Sequence, residues 1–221
     1  LPAAEKLWRR ILDLYPRDAE KWKDVATVFW DYYLFDDSLN LLQEARQRAG
    51  DPDLYPFEVG ALEEEAGRTD AAMAEYLKIA VTWDERHWEA RSRLDQLLKK
   101  DANRAVFERV VGEQLKSRPK PVDFLVGVRE FLGDWNRADQ FPLERWAGGV
   151  LAGAADADTV RDALSRLDIL LPPEERLAAY RRLVELAPPG VERLEAVFTL
   201  AGELRGAGRR AEALALVDGA V

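Results

Sequence analysis

The stretch GALEEEAGRTDAAMAEYLKIA, Gly60 to Ala80, decides the fold. Gly67-Arg68-Thr69-Asp70 reads as a turn, and behind it Ala72, Met73, Tyr76, Leu77 and Ala80 recur every three or four positions, the apolar face of a helix. Helical spacing also precedes the turn. Two helices joined by so short a connection lie antiparallel. Gly60 and Ala72 are small where the pair must approach closely, and Tyr76 is bulky where space must be filled.

Working outward, the same residue sizes return at a fixed interval. Trp8, Leu42 and Tyr76 are each 34 apart, as are Ala4, Ser38 and Ala72, and Ala26 and Gly60. Near the end of the chain, Ala201 precedes Ala213 by the 12 residues that separate Gly60 from Ala72, and Gly208 precedes Ala213 by the five that separate Gly67 from Ala72. Tyr180 and Pro188 repeat the spacing of Trp8 and Pro16. Strand signals are nearly absent, with no sustained alternation and no Asn-Gly hairpin turn. The periodicity predicts about 13 helices: one through LWRRILDLY (7–15), then about 20–33, 37–49, 53–66, 70–82, 85–100, 103–117, 122–132, 137–152, 159–171, 174–187, 191–206 and 210–221.

A 34-residue helix-turn-helix period resembles the tetratricopeptide repeat family. Trp22, Val25, Ala26 and Phe29 resemble the pattern of that family's first helix, and Ser38, Leu42 and Ala45 that of its second. Gly60, Gly67, Ala72, Tyr76 and Pro16 match its crossing, turn, second-helix and terminating positions. The resemblance implies an all-α, right-handed superhelical array of antiparallel hairpins, an α-solenoid. It divides the chain into tetratricopeptide-like repeats over 1–84, beginning at the second helix of a unit, degenerate hairpins over 85–157, and a return to the pattern over 158–221. In the middle, Leu94 stands where a small residue is expected, Gly127 and Ala138 are one residue too close, and Pro142 sits inside a presumed helix. The first and last residues suggest a piece cut from a longer chain.

The resemblance also implies a concave groove lined by the first helix of each unit, suited to a peptide or partner helix. Projected onto this sequence, Glu20, Lys23, Thr27, Trp30 and Asp31 line it in one unit, and Leu54, Phe57, Ala61, Glu64 and Glu65 in the next. Of these, Lys23, Thr27, Trp30, Phe57, Ala61, Glu64 and Glu65 are the expected peptide-binding residues. Trp30 and Phe57 are candidate anchors for an apolar side chain, and the carboxylates select basic neighbours. A solvated face with incidental aromatics is the alternative. The carboxylate clamp of chaperone-binding members does not fit, because Thr27 replaces its asparagine and the next unit offers Phe57 and Ala61.

Composition bounds the rest. With 48% hydrophobic and 33% charged residues, the 221-residue chain has the material for a folded, soluble protein. The absence of cysteine removes disulfides, thiolate nucleophiles and cysteine metal sites. A net charge of -9 counts against nucleic acid as a partner. No apolar run is long enough to span a bilayer, so direct membrane insertion is not expected. The compartment, cytoplasm or periplasm, stays open, and 24 arginines against 8 lysines hint at a GC-rich bacterial genome.

Chemistry is poorly provided for. Glu63, Glu64 and Glu65 are about 100° apart on a helix and cannot converge on one metal. Glu64 instead stands four residues before Arg68, in the favourable order for a surface ion pair. His87, the one histidine, has Asp84 three residues before it, too little for a catalytic set. Gly148, Gly149 and Gly153 lack phosphate-loop spacing. Lys99 and Lys100 read as a helix end. The expectation is a scaffold that is not an enzyme, needs no cofactor and binds a protein or peptide. An architectural spacer that self-associates through its ends is the alternative, and an RNA-processing helical repeat is a third, weaker reading.

Overall fold

The computed structural model describes the backbone of residues 2–82 and 85–220, with side chains from residue 6 onward. Asp84, the expected neighbour of His87, and the side chain of Ala4 lie outside the described residues. Among those described there are thirteen α-helices and no strand. They are α1 Pro2–Leu14, α2 Ala19–Asp31, α3 Phe35–Ala49, α4 Pro56–Glu65, α5 Thr69–Ala80, α6 His87–Leu98, α7 Ala102–Ser117, α8 Pro121–Asp134, α9 Leu143–Gly153, α10 Ala157–Leu167, α11 Pro173–Leu186, α12 Val191–Gly206 and α13 Arg210–Asp218. Short 3₁₀ segments occupy Ala138–Gln140 and Asp168–Leu170. The arrangement is an all-α helical repeat array, and it falls into two compact units, Leu1–Glu113 and Gln114–Val221.

In the first unit, α2 packs on α3 and α4 on α5, while α3 meets α4 and α5 meets α6. Trp22, Val25, Ala26 and Phe29 of α2 and Leu39, Leu41, Leu42 and Ala45 of α3 form one buried cluster, which Val59 and Leu62 of α4 complete. The small residues let the backbones close: Ser38 Oγ donates to the Ala26 carbonyl across the pair at 2.7 Å. At Gly60 a Cβ would stand 2.8 Å from the Tyr76 ring, closer than carbon atoms tolerate. In the second unit, α8 packs on α9 and α10, α10 on α11, α11 on α12 and α12 on α13.

The hairpin turns share one backbone geometry. Tyr33 (φ 61°), Gly67 (φ 74°), Asn136 (φ 53°) and Gly208 (φ 80°) are each left-handed. Each donates its N–H to the carbonyl three residues back, and the next residue donates to the carbonyl five back: Leu34 to Phe29 at 3.0 Å, Arg68 to Glu63 at 2.8 Å, Arg137 to Leu132 at 2.7 Å and Arg209 to Leu204 at 2.8 Å. This double bond satisfies the last carbonyls of the first helix and aims the chain back along it. Gly50 (φ 67°) repeats it between α3 and α4.

The hairpin at Asn136 departs from the other three. Counting seven residues back from the left-handed residue gives Ala26, Gly60 and Ala201 in those three, but Arg129 here, whose guanidinium donates to the Arg166 carbonyl of α10 at 2.9 Å. The segment after the turn runs as a 3₁₀ turn and an extended Phe141 before α9 begins. The helix expected over 137–152 starts only at Leu143, with Pro142 as its N-cap, where the missing N–H costs nothing.

Arginine also closes helix ends. Arg91 Nε donates to the Ala80 carbonyl at 2.7 Å, Arg182 to Ala154 at 2.5 Å and Arg193 to Ala187 at 2.8 Å, each acceptor at a helix C-terminus. A cation there meets orphan carbonyls and the negative end of the helix dipole.

Candidate functional site

Of the expected groove residues, Glu20, Lys23, Thr27, Trp30 and Asp31 lie on α2 and Phe57, Ala61, Glu64 and Glu65 on α4, with Leu54 just before it. Lys23 is half-buried; its ammonium pairs with Glu20 at 2.8 Å and lies 5.1 Å from the centre of the Tyr55 ring. Tyr55 in turn donates to Glu20 at 3.1 Å. The Lys23 bond holds the Glu20 carboxyl below its ordinary value, whereas burial, then the Glu20 bond, pushes the Tyr55 phenol up. Thr27, one turn on, is exposed and returns its hydroxyl to the Lys23 carbonyl at 3.0 Å.

Phe57 sits further along the row, half-buried between two partners. Its ring is 5.6 Å from that of Tyr76, and the Arg86 guanidinium lies over it at 3.6 Å. Arg86 is fixed in turn by Glu58 at 2.8 Å and Glu89 at 2.8 Å. An incoming apolar side chain reaches Phe57 only if Arg86 swings aside. Sequence reasoning passed over Arg86, because its partners lie on another helix, 28 and 29 residues away in the chain.

The remaining expected residues fall in different places. Trp30 is half-buried against the core cluster of α2 and α3, so much of its indole is structural. Ala61 is 6% exposed and offers close approach more than contact area. Glu65 is exposed. Glu64 does not pair with Arg68, as its helical spacing suggests, because α4 ends at Glu65 and Arg68 already lies beyond the turn. Its carboxylate accepts the Tyr76 hydroxyl at 2.8 Å and stands 3.8 Å from Arg93, while Arg68 turns to Glu63 and, at 3.0 Å, to Asp36. Burial, and then the Glu64 bond, push the Tyr76 phenol up.

The three glutamates thus separate. Glu63 is buried at the turn, Glu64 is held under α6, and Glu65 alone is open to solvent. Among the described residues no group of three or more His, Asp or Glu converges as a metal site, and no helix is long and apolar enough to cross a membrane. His87 lies against Trp88, ring centres 5.1 Å apart. Gly148 and Gly149 lie within α9, where the Glu175 carboxylate covers Gly148. Lys99 is the C-cap of α6.

No protein-family model matches the chain, and no curated protein matches it.

Proposed function

We propose that the chain is a non-enzymatic protein-interaction scaffold of tetratricopeptide type, binding a protein or peptide along α2, α4 and α6. One observation carries the reading: a row of two polar and aromatic clusters, in which Glu20 and Lys23 of α2 meet Tyr55 at the start of α4, and Glu58 and Phe57 of α4 meet Arg86 at the start of α6. A row held in place by its own ion pairs is partly preorganised, which lowers the ordering cost of binding. Thr27 and Glu65, exposed beside it, complete the surface. The 34-residue period and the recurring turns support the family assignment.

Site-specific photocrosslinkers at Thr27 and Glu65 in the native host test this reading, with exposed Gln43 of α3 as the control position. A protein captured at the first two positions and not at Gln43 is the expected result. Only self-crosslinks, or equal capture at all three, would sink it. A second reading, an architectural spacer that self-associates through its ends, is favoured by the exposed Leu7, Leu14 and Tyr15 of the first unit and by Val191 and Leu214 of the second. Self-crosslinks concentrated at those residues would favour it.

A further inference from the structure

We propose that Phe57 receives an arginine side chain of the partner, which takes the place that Arg86 occupies in the chain by itself. The inference rests on the row along α2, α4 and α6 being a binding surface, and it names the chemistry that the row selects. A cation, rather than an apolar side chain, is then the group that Phe57 anchors.

Phe57 is a fixed platform. Its ring packs on Tyr76, centres 5.6 Å apart, and Tyr76 is itself buried and donates to Glu64 at 2.8 Å. The Arg86 guanidinium carbon lies 3.6 Å from the centre of the Phe57 ring. Two carboxylates stand at its edge. Arg86 Nη1 donates to Glu58 of α4 at 2.8 Å, and Nε and Nη2 donate to one oxygen of Glu89 in α6 at 2.9 and 2.8 Å. An aromatic face with carboxylates around it matches a guanidinium, a flat, delocalised cation that stacks on the ring while its edge donates. An ammonium, compact and strongly hydrated, uses less of the same arrangement. The combination recurs where α2 meets Tyr55, with the Lys23 ammonium 5.1 Å from that ring centre and 2.8 Å from Glu20.

Arg86 is held loosely enough to exchange. Its side chain is 40% exposed and that of Glu89 58%, and ion pairs so open hold weakly against water and salt. As the N-cap of α6 it makes no side-chain bond to the helix, so its guanidinium closes no backbone group. Arg91, five residues on, is the contrast: 1% exposed and bonded to the Ala80 carbonyl. A guanidinium arriving on Phe57 regains each contact that Arg86 gives up, and Arg86 regains its water. The exchange is therefore near balance, and the rest of the partner segment decides it. Charge favours a basic segment, because Asp31 and Glu65, exposed on α2 and α4, form no ion pair among the described residues.

The chain has no cysteine, so Glu65→Cys carries a single thiol, about 12 Å along α4 from Phe57 at the helical rise. Its disulfides with amidated Cys-Gly-Gly-Gly-Gly-Xaa peptides, Xaa being arginine, lysine or leucine, are titrated with 2-mercaptoethanol. With Arg86 in place, the arginine peptide should need at least ~5-fold more reductant for release than the leucine peptide and ~3-fold more than the lysine peptide. Adding Arg86→Ala should raise the arginine value by at least ~10-fold more, and adding Phe57→Leu or Glu58→Gln should abolish the preference, with helicity unchanged by circular dichroism. Equal release of the three peptides, or a preference that survives both Phe57→Leu and Glu58→Gln, overturns the proposal. A preference that appears only once Arg86 is removed makes Arg86 a permanent part of the fold and overturns it too. Host capture at Thr27 and Glu65 without any arginine preference would sink this inference alone. Arginine preference without host capture would keep the guanidinium site and sink the scaffold reading.

Discussion

Gly60 and Tyr76 are fitted to each other. A methyl group at residue 60 would meet Tyr76 Cε1 at 2.8 Å, and that ring is itself buried against Phe57 and held by Glu64. Because the ring has no room to yield, Gly60→Ala should destabilise the fold by ~1–3 kcal/mol, measured by urea unfolding. Tyr33 poses the opposite case: it is 80% exposed and left-handed at φ 61°, a conformation that costs a residue with a Cβ and not glycine. Tyr33→Gly should stabilise by ~0.5–1 kcal/mol in the same assay, and a loss of stability would show that the edge-on contact of its ring with Phe35 outweighs the strain. Tyr76 also sets a pH limit. Its phenol is neutral and donating in the fold and titrates above its ordinary value of 10.0, raised first by burial and then by Glu64. The stability it lends is therefore complete below pH 10 and lost as the pH rises further, since only the unfolded chain releases the proton there. Tyr76→Phe should flatten the decline of melting temperature above pH 10; an unchanged slope would remove Tyr76 as its source.

Among elements, the ends of the helices carry more information than their middles. Arg91 is 1% exposed and spends its Nε–H on the last carbonyl of α5. Arg91→Ala should cost ~3 kcal/mol or more, because it leaves that carbonyl unsatisfied and opens a void, and should be read by thermal unfolding against Arg193→Ala, whose exposed site should lose less. This use of arginine was invisible in the sequence, where donor and acceptor are up to 28 residues apart. The helices themselves were legible, since each keeps an apolar period, and so were the turns at Gly67 and Gly208, since glycine advertises a positive φ. Tyr33 and Asn136 hid the same turn behind residues that seldom adopt it. The one-residue shortfall between Gly127 and Ala138 was visible, but not that Arg129 stands seven residues before the turn or that α9 begins only after Pro142. The sequence placed the expected groove residues on α2 and around α4. Which of them are already engaged was not readable, because Arg86 and Arg93 reach Phe57, Glu58 and Glu64 from α6 or its threshold, and no local spacing records that.

For the whole molecule, charge is the first constraint. With a net charge of -9 the chain should show no salt-dependent retention of a single-stranded RNA 30-mer in an anisotropy titration, and tight binding that weakens with salt would reopen the RNA reading. The hairpins impose a second constraint, seen where Gly60 meets the Tyr76 ring 16 residues on, a small residue fitted to a large one. The 34-residue period is consequently a cassette with a matching rule. Excising 34–67 joins left-handed Tyr33 to Arg68 and preserves the turn, yet sets Ala26 against Tyr76. A shortened protein should therefore need Tyr76→Leu, or Ala26→Gly, before it folds. Chain length in this architecture is editable one hairpin at a time, provided each splice carries its own pair of sizes.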